Sequence, residues 1–113
     1  MSNRTRIVTD EDVEKALDWL RDSAQEMGDA KAELVEASHM LKVVKALRMK
    51  FDNDKSVAYQ EREALASDEY REALKRDAKA AGEFEKLRAL REAASLKVEA
   101  WRSEQANYRA LRI

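Results

Sequence analysis

The chain has no cysteine, no proline, two glycines and one histidine in 113 residues. Without cysteine there is neither a disulfide framework nor a thiolate metal site, and a reducing cytoplasm is the expected compartment. Without proline, and with so little glycine, the turn residues that a β fold requires are missing. No apolar run approaches the ~20 residues of a membrane span, so no membrane partner is expected. Met1–Thr9 carries Arg4 and Arg6 but no apolar stretch, and a signal peptide is therefore not expected. Large apolar residues are also few: Leu, Ile, Val and Phe number 22, against 19 alanines. That is too little for a thick core and borders on a disordered composition.

What remains is charge and helix-forming residues. The chain carries 22 basic and 23 acidic side chains, for a net charge of −1. So small a net charge argues against disorder, and the abundance of Ala, Glu, Lys, Arg and Leu favours helices. The expected class is all-α: a long antiparallel helical hairpin, coiled-coil-like, buried along a narrow seam.

Thr9 is a good N-cap, followed by Asp10, Glu11 and Asp12 where the helix dipole favours negative charge. Val13, Leu17, Leu20, Ala24 and Met27, then Leu34, Ala37, Leu41, Val44 and Leu47, recur at helical spacing. Together they predict one helix from Asp10 to about Phe51, roughly 60 Å long, with a kink near Gly28 if anywhere. Asp52-Asn53-Asp54-Lys55-Ser56 is the one convincing turn. A short helix over Val57–Ala66 and a second cap at Ser67 follow. The last helix runs from about Asp68 to Leu111. Its stripe is Tyr70, Ala73 or Leu74, Asp77, Ala80 or Ala81, Phe84, Leu87, Ala94, Val98, Trp101, Gln105 and Tyr108, drifting closer to 3.6 than to 3.5 residues per turn. Residues 1–8 are expected to be a flexible N-terminus and 9–113 a single hairpin domain turning near 52–56. So thin a seam does not offset chain entropy at about 25 cal/mol per Å² of apolar area, which predicts a homo-oligomer.

The net charge conceals four alternating blocks. Thr9–Ala37 holds ten acids and three bases; Ser38–Phe51 holds no acid and four bases. Asp52–Glu85 holds ten acids and six bases; Lys86–Ile113 holds three acids and seven bases. Folding at the turn sets Ser38–Phe51 beside acidic Val57–Tyr70, and acidic Thr9–Asp22 near basic Lys86–Glu99, so the blocks suit a hairpin of defined register. The sharper reading is nucleic-acid binding. Lys42, Lys45 and Arg48 spiral along one side of the first helix at spacings that reach successive phosphates. Trp101, Arg102, Tyr108, Arg109 and Arg112 interleave aromatics with cations, which suits stacking on exposed bases. An overall pI of 5.9 is low for a dedicated DNA-binding domain, so this binding needs a patch assembled in an oligomer.

No constellation points to catalysis, and no cofactor or metal is expected. His39 is the only imidazole, and a Ser-His-Asp triad would lack a nucleophile motif. A di-metal bundle needs paired Glu-x-x-His elements, which one histidine cannot supply. Glu61, Glu63, Asp68, Glu69 and Glu72 read as a solvated face, and Met27, Met40 and Met49 as gap fillers.

Two stretches resemble a widespread group of small phage and prophage proteins that accompany recombination genes. They are Ser56-Val57-Ala58-Tyr59-Gln60-Glu61-Arg62-Glu63-Ala64-Leu65-Ala66-Ser67-Asp68-Glu69-Tyr70 and Trp101-Arg102-Ser103-Glu104-Gln105-Ala106-Asn107-Tyr108-Arg109-Ala110. The layout is also similar, more loosely, to UvsY-type recombination mediators, helical oligomers that bind single-stranded DNA and help load a recombinase. The resemblance implies a non-enzymatic accessory protein of the host cytoplasm, with single-stranded DNA and a recombinase or annealing protein as partners. The alternative is a protein-interaction module, such as a phage inhibitor of a host complex or an assembly adaptor, with acidic Thr9–Glu36 facing a host protein's basic surface.

Overall fold

The computed structural model describes residues 8–111, and all the regular structure in them is helical. The elements are α1 (Asp10–Asp22), α2 (Ala24–Met49), a 3₁₀ turn over Lys50–Asp52, α3 (Val57–Leu65) and α4 (Asp68–Leu111). The chain divides into two compact units: Gly28–Glu85, and the chain up to Met27 together with the chain from Lys86. Within each unit the packing is antiparallel. In the Gly28–Glu85 unit α2 runs against the first half of α4, joined by Ser38–Asp77 and Arg76–Glu33 contacts. In the other, α1 runs against the second half of α4 through Asp10–Trp101 and Ser23–Arg91. Of the stretch expected to be flexible, residues 1–7 lie outside the described part. Val8 is buried, and its N–H donates to Glu104 Oε1 at 3.1 Å.

The helix starts are written locally. Thr9 Oγ1 accepts from the Asp12 N–H and Asp12 Oδ2 accepts from the Thr9 N–H, both at 3.1 Å, a reciprocal cap on α1. Ser56 Oγ accepts from the Tyr59 N–H at 3.2 Å and starts α3. Buried Ser67 has two roles. Its Oγ accepts from the Tyr70 N–H at 3.2 Å and donates to the Ala64 carbonyl at 2.6 Å, closing α3 while opening α4.

The seam departs from the expected one in its period. In α1 and α2 the buried and half-buried stripe is Val13, Ala16, Leu20, Ser23, Met27, Ala30, Leu34, Ala37, Leu41, Val44 and Arg48. In α4 it is Tyr70, Ala73, Asp77, Ala80, Phe84, Leu87, Arg91, Ala94, Val98, Trp101, Gln105 and Tyr108. Both advance by alternating threes and fours, a seven-residue repeat rather than a drift toward 3.6. At two turns the repeat brings in the neighbour of the leucine that was expected. Ala16 is buried while Leu17 is 50% exposed, and half-buried Arg48 takes the place of Leu47. Among the described residues the buried apolar set is mostly alanine (Ala16, Ala37, Ala64, Ala80 and Ala94), and no large side chain is fully buried.

The first helix is interrupted at Ser23, not at Gly28. Arg91 Nη1 donates to the Leu20 carbonyl at 2.8 Å and to Ser23 Oγ at 2.6 Å. A side chain from α4 thus takes a carbonyl that the next turn of helix would use, a recognised cause of helix breaks. Ser23 keeps right-handed φ, with ψ relaxed to −1°. Gly28 and Gly82 sit inside α2 and α4 with no positive φ, and a Cβ on either would meet nothing within 4 Å.

Two stability outcomes follow from this geometry. Arg91→Ala removes two charge-assisted hydrogen bonds in the seam and is expected to destabilise by about 2 kcal/mol in urea titrations, while exposed Arg71→Ala changes stability by less than about 0.5 kcal/mol. Gly82→Ala is expected to raise stability by about 1 kcal/mol, because the helix interior has room for the methyl group.

Candidate nucleic-acid interface

Of the cations expected to track phosphates, the α2 group lies in the Gly28–Glu85 unit and the Trp101 group in the other. Lys42 is exposed. Lys45 Nζ sits 2.7 Å from Glu61 Oε1, and Arg48 Nη1 sits 3.2 Å from Asp52 Oδ2 with its guanidinium 5.1 Å from the Phe51 ring centre. Lys45 and Arg48 are therefore held by carboxylates of their own chain. The Lys45–Glu61 pair joins the acid-free stretch to the acidic one that follows the turn, as the charge blocks predict.

At the far end of α4 the picture differs. Trp101 is half-buried, and its Nε1 donates to Asp10 Oδ1 at 2.7 Å, which fixes the indole against the start of α1. Arg102 and Arg109 are exposed, and Tyr108 is half-buried. Arg102 pairs with Glu99 at 3.3 Å, both side chains well exposed, an arrangement worth little in water. Trp101, Arg102, Gln105, Ala106 and Arg109 line an open cleft of about 450 Å³. Arg112 lies outside the described residues.

The strongest electrostatic feature was not anticipated. Arg76 of α4 donates from Nε and Nη2 to the two carboxylate oxygens of Glu33 and again from Nη2 to Glu36, all at 2.9 Å. The hydrogen bonds from Arg76 hold Glu33 below the usual carboxylate range, and Arg76 itself is pushed further up. Arg76 belongs to an acidic block, so segment counting hides it. Its place beside the seam position Asp77 is the signal that could have revealed it. Lys45 likewise holds Glu61 down and is itself raised, and hydrogen bonds from Thr9 lower Asp12. Other intrahelical pairs, among them Lys15–Glu11, Arg71–Asp68 and Lys75–Glu72, are exposed and join residues three or four apart.

His39 is exposed on α2, and Met27, Met40 and Met49 are half-buried. Among the described residues no group of three or more His, Cys, Asp or Glu is placed to hold a metal ion, and no helix is long and apolar enough to cross a membrane. A second cleft, of about 320 Å³ and largely apolar, lies between α1 and α4, with Ala16, Trp19, Leu90 and Ala94 in its walls and Asp12, Lys15 and Lys97 at its rim. No family model, curated protein or solved structure matches the chain.

Because Asp12, Glu33 and Glu61 have lowered folded-state values, the stability they contribute is present above their unfolded pKa and is lost as pH falls through the folded one. Thermal melts followed by circular dichroism are expected to show a level midpoint between about pH 5 and 8 and a decline below about pH 4. Glu33→Gln is expected to make that decline shallower.

Proposed function

We propose that this chain is a non-catalytic accessory protein of phage-type DNA recombination, an oligomer that binds single-stranded DNA and assists a recombinase or annealing protein in the host cytoplasm. One observation carries the DNA contact: the open cleft at the far end of α4, lined by half-buried Trp101 and by exposed Arg102 and Arg109. Arginines there neutralise phosphates while an aromatic face stacks on a base, at about 1–3 kcal/mol per stacked base. The weak Arg102–Glu99 pair gives way readily to a phosphate, whereas Lys45 and Arg48 would have to leave nearer, better-shielded carboxylates. The recombination setting rests on the resemblance of Ser56–Tyr70 and Trp101–Ala110 to the phage group. Self-association is supported by eleven large apolar side chains, among the described residues, that are at least 43% exposed.

A second reading, the protein-interaction module, is favoured by those same apolar side chains and by the acid-rich stretch from Thr9 to Glu36. Co-purification of a defined partner that survives nuclease treatment, together with absent DNA binding, would select it.

Fluorescence anisotropy with labelled oligothymidine at low salt is the direct measurement. Binding is expected at micromolar protein, weakening steeply with salt, and Arg102→Glu with Arg109→Glu is expected to lower affinity about tenfold or more. Lys45→Ala is expected to change it much less. Absence of binding at about 10 µM protein, or no effect of the double charge reversal, would reject the reading.

A further inference from the structure

We propose that the acid-free end of α2 together with the 3₁₀ turn that follows it, the face bearing Val43, Val44, Leu47 and Phe51, is where a second copy of this chain packs, as an isologous two-fold pair. This specifies the self-association named above and is independent of DNA binding.

The first argument is exposure that the fold does not use. Val43 is 43% exposed, Leu47 55% and Phe51 73%. The four-residue step puts Val43 and Leu47 on one side of α2, and Phe51 of the 3₁₀ turn shares a cleft with Leu47. Val44, Leu47, Arg48 and Phe51 line an open cleft of about 200 Å³ whose remaining wall is Glu69 of α4. Such a run of β-branched, leucine and phenylalanine side chains in water is unfavourable by the area rule and marks a contact surface.

The second argument is where the exposure peaks. Among the described residues of the Gly28–Glu85 unit, Phe51 is the most exposed large apolar side chain, and it shares the cleft with Leu47.

The third argument is charge, which chooses the occupant. The face has exposed Glu69 of α4 in its wall and exposed Lys50 next to Phe51 in the 3₁₀ turn. A two-fold rotation sets the cationic edge of one copy against the anionic edge of the other, as a self-complementary surface requires. The one cation within the cleft, Arg48, is already neutralised by Asp52 and lies over the Phe51 ring, so covering this face strands no unpaired guanidinium. A nucleic acid finds a poor site here for the same reason.

The absence of native cysteine makes the symmetry testable. In an isologous pair a residue near the axis meets its own copy, so Phe51→Cys is expected to form a disulfide-linked dimer on mild oxidation at low micromolar concentration. Leu96→Cys, 62% exposed and in the other unit, serves as the comparison and is expected to cross-link far less. Analytical ultracentrifugation of the full chain supplies the mass. The native protein is expected to be at least dimeric, and Leu47→Glu with Phe51→Glu is expected to weaken association about 100-fold or more while the helical spectrum is kept. A native protein that is monomeric throughout would overturn the proposal, as would equal cross-linking at positions 51 and 96. It also fails if the double variant keeps its mass while Leu90→Glu, in the α1–α4 cleft, loses it. Failure of DNA binding in the anisotropy experiment leaves all of these readouts unchanged.

Discussion

The constraint on which everything else depends is the size of the residues in the seam. Alanine lets two helix backbones approach closely and gives up no side-chain entropy when it is buried. Ala16, Ala37, Ala64, Ala80 and Ala94 are all at most 8% exposed, and they define lines of contact only one side chain deep. A line of methyl groups removes little apolar area from water, so the stability per residue is small. It also leaves no interior for the larger side chains. Leu17, Leu47, Leu74 and Leu90 are about half-exposed because an alanine-width seam has no place for them. The exposed apolar faces and the thin core therefore share one cause.

An alanine seam has a second consequence, because methyl contacts are not directional. Where seam alanines recur after seven residues, as at Ala30 and Ala37 or at Ala73 and Ala80, a heptad of sliding replaces methyl with methyl, so these contacts define register only weakly. The polar seam positions provide it. Arg91 finds the Leu20 carbonyl and Ser23 Oγ, Asp77 accepts from Ser38 Oγ at 2.6 Å, and beside the seam Arg76 grips Glu33 and Glu36. Displaced by a turn, each of these groups would lose the partner it has here, and a half-buried polar group without its partner is costly. Polar residues in an otherwise apolar repeat are known to select register in this way, at some loss of stability.

The parts of the fold that are legible in the sequence are those made by neighbours in the chain. Thr9, Ser56 and Ser67 each satisfy donors three residues away, so the residue type and position suffice to place the three helix starts. The turn at 52–56 is legible for the same reason. The interruption at Ser23 is not, because its cause, Arg91, lies 68 residues further on. The seam is legible in direction but not in detail. A reading that follows the larger apolar residue at each turn selects Leu17, Ala24 and Leu47, whereas strict alternation of threes and fours selects Ala16, Ser23 and Arg48. Of the candidate interface, the cations themselves could be read, but not their engagement. Glu61 holds Lys45 from across the turn, and only a three-dimensional register reveals that pair.

Engagement, rather than net charge, decides which cations are available to a partner. Lys45 and Arg48 are about one-third and one-quarter exposed and lie within 3.2 Å of carboxylates, so an incoming phosphate competes with a partner already in place. Arg102 is 69% exposed, and the water that screens its pair with Glu99 also makes that pair easy to exchange. The same neutralisation that withdraws the α2 end from nucleic acid makes it suitable for burial, since covering an ion pair with its charges already matched avoids stranding a lone ion. In the proposed scheme the two surfaces thus divide the work by chemistry. An apolar face with internally balanced charge meets its own copy, while an aromatic cleft with loosely held arginines meets the polyanion. Neither uses residues that the other requires, so association and DNA binding are able to occur on one chain at once.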